Sequence, residues 1–418
     1  MKFDVLVLGA GMVGVSCALH LQQKGKSVAL FDKGLPGEET SFGNAGIIQR
    51  EAIEPYGFPR DFSTIFQTAF NSRLDVRYHF SALTSLIKPL ATYYHNSSQK
   101  FYPKICKEYE SIIARSIETH IPFIEQANVE HLVNNQGFME VYRTQKALDT
   151  SVKAAERLQQ HGVHHNVLNV KQIQTEEPAL RENFVGAIHW TDPISIRNPG
   201  GLVKAYAKLF EQRGGHFYQG NALDLQQSAT AEWEILDIKS DMIQAKEVVI
   251  ALGPWSISLT KRFGYTPPLF VKRGYHMHFS NSGSVPLNKT VLDAERGYLV
   301  APMEQGLRLA TGAELAHLDA PSTPNQLDDA EQIARNVFPL GKRLDAEAWK
   351  GARPCMPDMK PVIGALPHTK GLWCAFGHGH QGFTLGPATG ELLADIMVGD
   401  QPKIDPLPFS PSREFWNS

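Results

Sequence analysis

Cysteine is scarce: Cys17, Cys106, Cys355 and Cys374 are the only four in 418 residues, and none forms a Cys-x-x-Cys pair. That excludes a disulfide framework or a zinc ribbon and fits a reducing compartment. An excess of charge of one sign is also lacking, since Lys+Arg 41 against Asp+Glu 43 leaves a net charge of −2. No global positive field is available to hold a nucleic acid. The uncharged run at residues 5–19 is interrupted by Gly9, Gly11 and Gly14 and preceded by Asp4. It is too short to cross a bilayer and has the wrong flank for a signal peptide. Internal repeats and low-complexity tracts are absent as well. With 42% hydrophobic and 20% charged residues, global disorder is excluded. The expectation is a soluble, cytoplasmic protein with no nucleic-acid partner, too long for one small core and built from two domains.

The chain opens as β-α-β. Phe3, Val5, Val7 and Leu8 read as a buried strand, and the glycines as a tight turn. A helix with Val13, Cys17 and Leu21 on one face ends at Gly25, and a second strand over 27–31 leads to Asp32. Residues 56–102 differ, with eleven aromatics in 47 positions and five basic against two acidic residues. Helices are expected there, then one more from Tyr109 to Gln126 and a strand over Phe138–Tyr142. Residues 146–160 and 200–213 read as amphipathic helices, and 245–252 as a buried strand. Strands with short turns follow over 269–315, and a helix over 327–338. The closing part reads as a strand (372–376), a glycine loop (377–382) and a helix (386–398). The fold class expected is α/β (α+β overall). A Rossmann-type cofactor domain takes 1–55, 146–180, 198–265 and 350–418. An interleaved, mostly antiparallel substrate domain carrying helices takes 56–145, 181–197 and 266–349.

Gly9-Ala10-Gly11-Met12-Val13-Gly14 follows the first strand and opens the helix. The first glycine makes the turn, the second admits a pyrophosphate to the backbone, and the third permits close helix–sheet packing. Asp32 stands where an acid binds a ribose hydroxyl, with Lys33 beside it. A dinucleotide is therefore expected. Thr40, Ser41, Asn44, Ala45, Gly46 and Ile47 belong to a run of hydroxyls, an amide and small residues that can wrap the cofactor.

In this combination the chain resembles the D-amino-acid dehydrogenase branch of the FAD-dependent glycine oxidase and D-amino-acid oxidase superfamily. The resemblance rests on motifs in order: Glu39-Thr-Ser-x-x-Asn-Ala-Gly46, Val249-Ile-Ala-Leu-Gly253, Lys272-Arg-Gly-Tyr275, Gly351-Ala-Arg-Pro-Cys-Met-Pro-Asp358 and Gly377-His-Gly-His-Gln-Gly-Phe-Thr384. It implies FAD as cofactor, held further by Ala251, Gly253 and Trp255 and by Gly379, His380, Gln381, Gly382, Phe383 and Thr384. It also implies that Arg353 meets a substrate carboxylate, for which a planar bidentate guanidinium is suited. Tyr275 and Tyr298 are expected to wall the pocket or donate to that carboxylate, and Arg273 and Arg296 are weaker candidates. The His-x-His pairs at 276/278 and 378/380 have no matching acid or cysteine cluster, so no metal is expected.

Two features depart from the family. Sarcosine-oxidase relatives attach FAD through a cysteine seven residues before the Pro-Asp aspartate, where this chain has Gly351, so FAD is expected to be non-covalent. Gln49-Arg50-Glu51 replaces a usual Ser-Pro, which weakens transfer of exact substrate choice. The resemblance implies oxidative deamination of a D-amino acid to a 2-oxo acid and ammonia, by hydride transfer from Cα to flavin N5. Electrons would pass to a quinone or other acceptor, with the aromatic 56–102 segment as a candidate docking face for that acceptor or for a peripheral membrane contact. The alternatives are a D-proline or hydroxy-D-proline dehydrogenase and a glycine/sarcosine-type amine oxidase. A non-catalytic flavoprotein electron-transfer subunit would be favoured by a truncated substrate domain or loss of the arginine, and neither is seen.

Overall fold

The first strand, Lys2–Leu8, is apolar on both faces. Val5 and Val7 pack toward the helix Met12–Gln23, and Leu6 and Leu8 pack into a second core on the other side. A strand covered on both faces belongs inside a parallel sheet, and it lies between Val28–Asp32 and Met242–Ile250, parallel to both. In the computed structural model, which describes residues 1–60, 74–182, 184–229 and 232–416, this sheet has eight strands. His216–Gln219 adds at one side in parallel, as does Leu372–Phe376 against Met242–Ile250. The helices Met12–Gln23, Pro199–Gln212 and Gly382–Val398 cover one face.

The second sheet has eleven strands and is mostly antiparallel. Its spine is the long strand Phe270–Asn281, which pairs with Gly306–Ala310, Ala313–Leu315, Leu340–Arg343 and Trp349–Cys355. Further out lie Tyr298–Met303, Thr290–Asp293, Phe138–Tyr142, Gly186–Trp190 and His165–Leu168. The mixed α/β class with an interleaved antiparallel sheet is thus observed.

Boundaries differ from the sequence reading at three places. The strand His165–Leu168 and residues 350–355 pair within the larger sheet rather than standing with the cofactor domain. The helix expected over Tyr109–Gln126 is two helices, Tyr102–Ile113 and Ser116–Gln126, broken at Ala114–Arg115. Both pack their apolar sides into the core beneath the closing helix. Within the aromatic segment, Val76–Tyr78 is a strand and Leu83–Asn96 a helix, whereas Phe62, Phe66 and Phe70 lie outside the described residues.

Candidate active site

One elongated cavity of about 1180 Å³ runs between the two sheets, from Asp32 and Lys33 at one end to Arg353 and Tyr93 at the other. At the first end Gly9 has φ +108°, and a Cβ there would collide with the Ala251 carbonyl. A Cβ on Gly14 would strike the Gly9 carbonyl, so the helix can approach the strand only because both are glycine. Asp32 Oδ2 accepts from Ala10 N at 2.6 Å and Oδ1 from Gly34 N at 3.2 Å, which fixes the carboxylate beside the turn. Ser41 Oγ accepts from Met12 N at 3.0 Å, tying the polar run to the helix start. Lys33 Nζ lies 4.7 Å over the Trp255 ring.

Further along, Thr40 donates to Ala352 O at 3.1 Å, and Asn44 Oδ1 accepts from Gly46 N at 2.7 Å. Gly43 and Gly351 both abut the Trp349 indole, and a Cβ on either would collide with it. Trp349 in turn stacks on His276, ring centroids 4.8 Å apart. Burial, then the charge of Arg308, pushes His276 down to about 2, so it is neutral. At the glycine loop, Gln381 Nε2 donates to Gln49 Oε1 at 2.8 Å, and the buried Gln381 Oε1 has no partner among the described residues. Thr384 Oγ1 donates to Ile47 O at 3.3 Å, joining loop and polar run. His378 Nε2 meets Thr389 Oγ1 at 2.9 Å, and His380 lies edge-on to Tyr56 at 4.8 Å.

Most of the expected cofactor residues come together on this wall: Gly9, Gly11, Met12, Val13, Asp32, Lys33, Thr40, Ser41, Asn44, Ala45, Ile47, Ala251, Gly253, Trp255, Gly379, His380, Gly382 and Phe383. Gly14, Gly46, Gln381 and Thr384 stand just behind it and shape the backbone. A glycine cradle, a fixed acid and a long groove with few side chains at its turns fit an extended dinucleotide such as FAD.

At the far end Arg353 donates through Nη1 to Gly312 O at 2.6 Å and through Nη2 to Thr311 O at 3.4 Å. Its guanidinium lies across Gly274, where a Cβ would collide with Nη2. Burial lowers its pKa, and among the described residues no carboxylate stands within ion-pair distance. Of the expected tyrosines, Tyr275 contributes to the wall, but its hydroxyl is engaged elsewhere. It donates to Glu314 Oε2 at 2.8 Å and accepts from Thr323 N at 3.0 Å. Tyr298 sits in the core beside Phe338, on the opposite side of its strand from the lining residues Gly297 and Leu299. Arg273 is wholly buried and paired with the same Glu314 at 2.5 Å, while Arg296 is exposed. The phenol near Arg353 is instead Tyr56, and Tyr93 stands with Lys272, the cross-strand partner of Arg353. Sequence reasoning quoted Lys272 without giving it a role; its pairing with Arg353 depends on a register between distant strands that no local pattern displays.

The chain belongs to the family of FAD dependent oxidoreductases (DAO), which it matches over residues 4–396. It is similar to a D-amino acid dehydrogenase from Chromohalobacter salexigens, 26% identical over 98% of this chain and 99% of that one. A D-amino-acid oxidase from Bradyrhizobium diazoefficiens is 28% identical, with 98% of each chain covered. The fold is that of glycine oxidase from Geobacillus kaustophilus, with TM-score 0.74, 21% identity and 99% of both chains covered. It is thus an FAD-dependent amino-acid oxidoreductase.

Proposed function

We propose that the protein oxidises a D-amino acid at its Cα–N bond and passes the electrons to a quinone or another acceptor. The observation that carries this is Arg353, a guanidinium without a carboxylate partner among the described residues, in the cavity that continues from the dinucleotide cradle. The names of the D-specific relatives support the handedness, and the name dehydrogenase supports an acceptor other than O₂.

Two of the guanidinium's five N–H groups are held by the Thr311 and Gly312 carbonyls, which orients its plane and leaves the others for a substrate carboxylate. His380, pushed down to about 3 by burial and then by the charges of Arg353 and Lys272, is neutral at physiological pH. It adds no positive charge against the amine, which must arrive as the free base. When bound, FAD supplies the two-electron acceptor for the hydride that leaves Cα. The protein's contribution is then orientation of the substrate rather than a strong base. The imino acid released takes up water and yields a 2-oxo acid and ammonium. FAD is held without a covalent bond, because residue 351 has no side chain and its Cα faces the Trp349 ring.

The test is anaerobic bleaching of the flavin's visible absorption by a panel of D-, L- and N-alkyl amino acids. Bleaching confined to D-isomers or D-imino acids is expected. Bleaching by none of them would overturn the reading.

A further inference from the structure

We propose that Lys272 is a second anion anchor beside Arg353, and that the ligand entering this end of the cavity is a dicarboxylic amino acid, one carboxylate to each cation. The inference rests on the reading of the cavity as an amino-acid site. Lys272 and Arg353 are direct cross-strand partners in the antiparallel pair Phe270–Asn281 and Trp349–Cys355, so both project from the same face, and both line the cavity. Like charges directly opposite one another in a sheet are destabilising, and removing them from bulk water makes the cost larger. Such a pair persists where something anionic arrives between the two heads.

The protein's described residues do not provide that anion. Arg353 bonds only to the neutral Thr311 and Gly312 carbonyls. Lys272 Nζ reaches the Tyr93 hydroxyl at 3.4 Å and stands 4.6 Å from the Tyr93 ring centroid and 5.6 Å from that of Phe270. Tyr93 spends its own proton on the Tyr56 carbonyl, so toward Lys272 it acts as acceptor, a neutral partner rather than a countercharge. Glu140 also lines the cavity, but burial raises its pKa toward the protonated form, and Tyr142 donates to it at 2.8 Å. With the amine entering uncharged, one α-carboxylate offsets one of the two cations. A second carboxylate on the side chain offsets the other.

The experiment uses the holoenzyme and matched ligands that cannot be oxidised: succinate and 2-oxoglutarate against butyrate and 2-oxopentanoate. Binding is read from the perturbed flavin spectrum and from the rise in Tm. A charge-assisted contact predicts that the dicarboxylates bind the native protein about tenfold or more tightly than the monocarboxylates. In Lys272→Met that preference should shrink to within about threefold, and Lys272→Arg should restore it. Equal binding of the two classes by the native protein overturns the inference whether or not the variants fold, as does a preference that survives Lys272→Met. Flavin bleaching by D-glutamate and D-aspartate against D-alanine and D-leucine separates the two proposals. If the uncharged side chains bleach faster, the second anchor is wrong and the oxidation of D-amino acids stands. If no D-amino acid bleaches the flavin but the lysine-dependent preference holds, the anchor stands and the oxidation falls.

Discussion

Arg353 and Glu51 are both charged by habit and both removed from bulk water, and the surroundings treat them differently. Arg353 keeps its charge because a guanidinium is so strong a base, and two backbone carbonyls hold its plane. Arg353→Ala is expected to raise substrate KM by about tenfold to a hundredfold, the loss of a charge-assisted contact, while flavin stoichiometry stays at one per chain. Kinetics with a parallel flavin-to-protein ratio check this. Glu51 is buried, with one oxygen on Gln49 Nε2 at 2.8 Å and the other without a partner among the described residues. Burial pushes it up to about 8. The folded state therefore keeps a proton that the unfolded chain has released, so stability declines as pH rises from about 4.5 to about 8. Glu51→Gln should remove this dependence and stabilise by on the order of 1–2 kcal/mol near pH 8, with little gain near pH 5. Urea melts at the two pH values give the comparison, and an equal gain at both would contradict it. At this scale the sequence is legible where spacing is local, as from Gly9 to Gly14 and on to Asp32. It is not legible where the pleat decides: Tyr298 faces the core because Gly297 and Leu299 face the cavity, and Lys272 meets Arg353 across eighty residues of chain.

Among elements, the closing helix Gly382–Val398 has the most to reconcile. Gly386 and Gly390 are one turn apart on the face against Met12–Gln23, where a Cβ would meet Met12 at one and the Ser16 backbone at the other. Gly386→Val should wedge apart the helix whose N-terminus faces the cofactor cradle. The expected cost is about 1–3 kcal/mol of stability, with weaker retention of FAD on gel filtration. Pro387, inside the same helix, has no N–H to offer the Phe383 carbonyl. His120 fills the place: its Nε2 lies 3.0 Å from Phe383 O, and its Nδ1 lies 3.1 Å from the Tyr206 hydroxyl. Burial holds His120 down at about 4, so it is neutral, with its proton on Nε2 toward the carbonyl. His120→Leu strands that carbonyl and should cost about 1–3 kcal/mol, measured by thermal or urea unfolding. The closing helix itself was visible in the apolar run after the glycine loop. The break between Tyr102–Ile113 and Ser116–Gln126 was not, because Ala114 and Arg115 are ordinary helix formers and only the packing turns the chain there.

Taken as a whole, the chain enters the parallel sheet three times, over 2–32, 216–250 and 362–376, and the larger sheet twice, over 76–190 and 270–355, around a shared cavity. Because FAD binds the folded form, its removal should lower Tm, by an amount equivalent to about 2.7 kcal/mol when free FAD had stood at a hundred times its Kd. Acid precipitation should leave all the flavin in the supernatant; yellow pelleted protein would contradict attachment without a bond. Among the described residues no helix is long and apolar enough to cross a membrane. The first strand pairs with Met242–Ile250, and the first helix packs against Gly382–Val398. On the ribosome, therefore, residues 2–23 meet Val28–Asp32 at once but must wait for residues 242–250 and 382–398 before the sheet and the helix pair around them are complete. Until then the glycine turn lacks the Ala251 backbone it rests against, and the nascent chain offers chaperones an apolar strand uncovered on one edge. A cradle whose walls at Ala251 and Gly382 come late in the chain is expected to close on FAD only once those segments exist, so flavin supply at that stage should set how much new chain reaches its finished form.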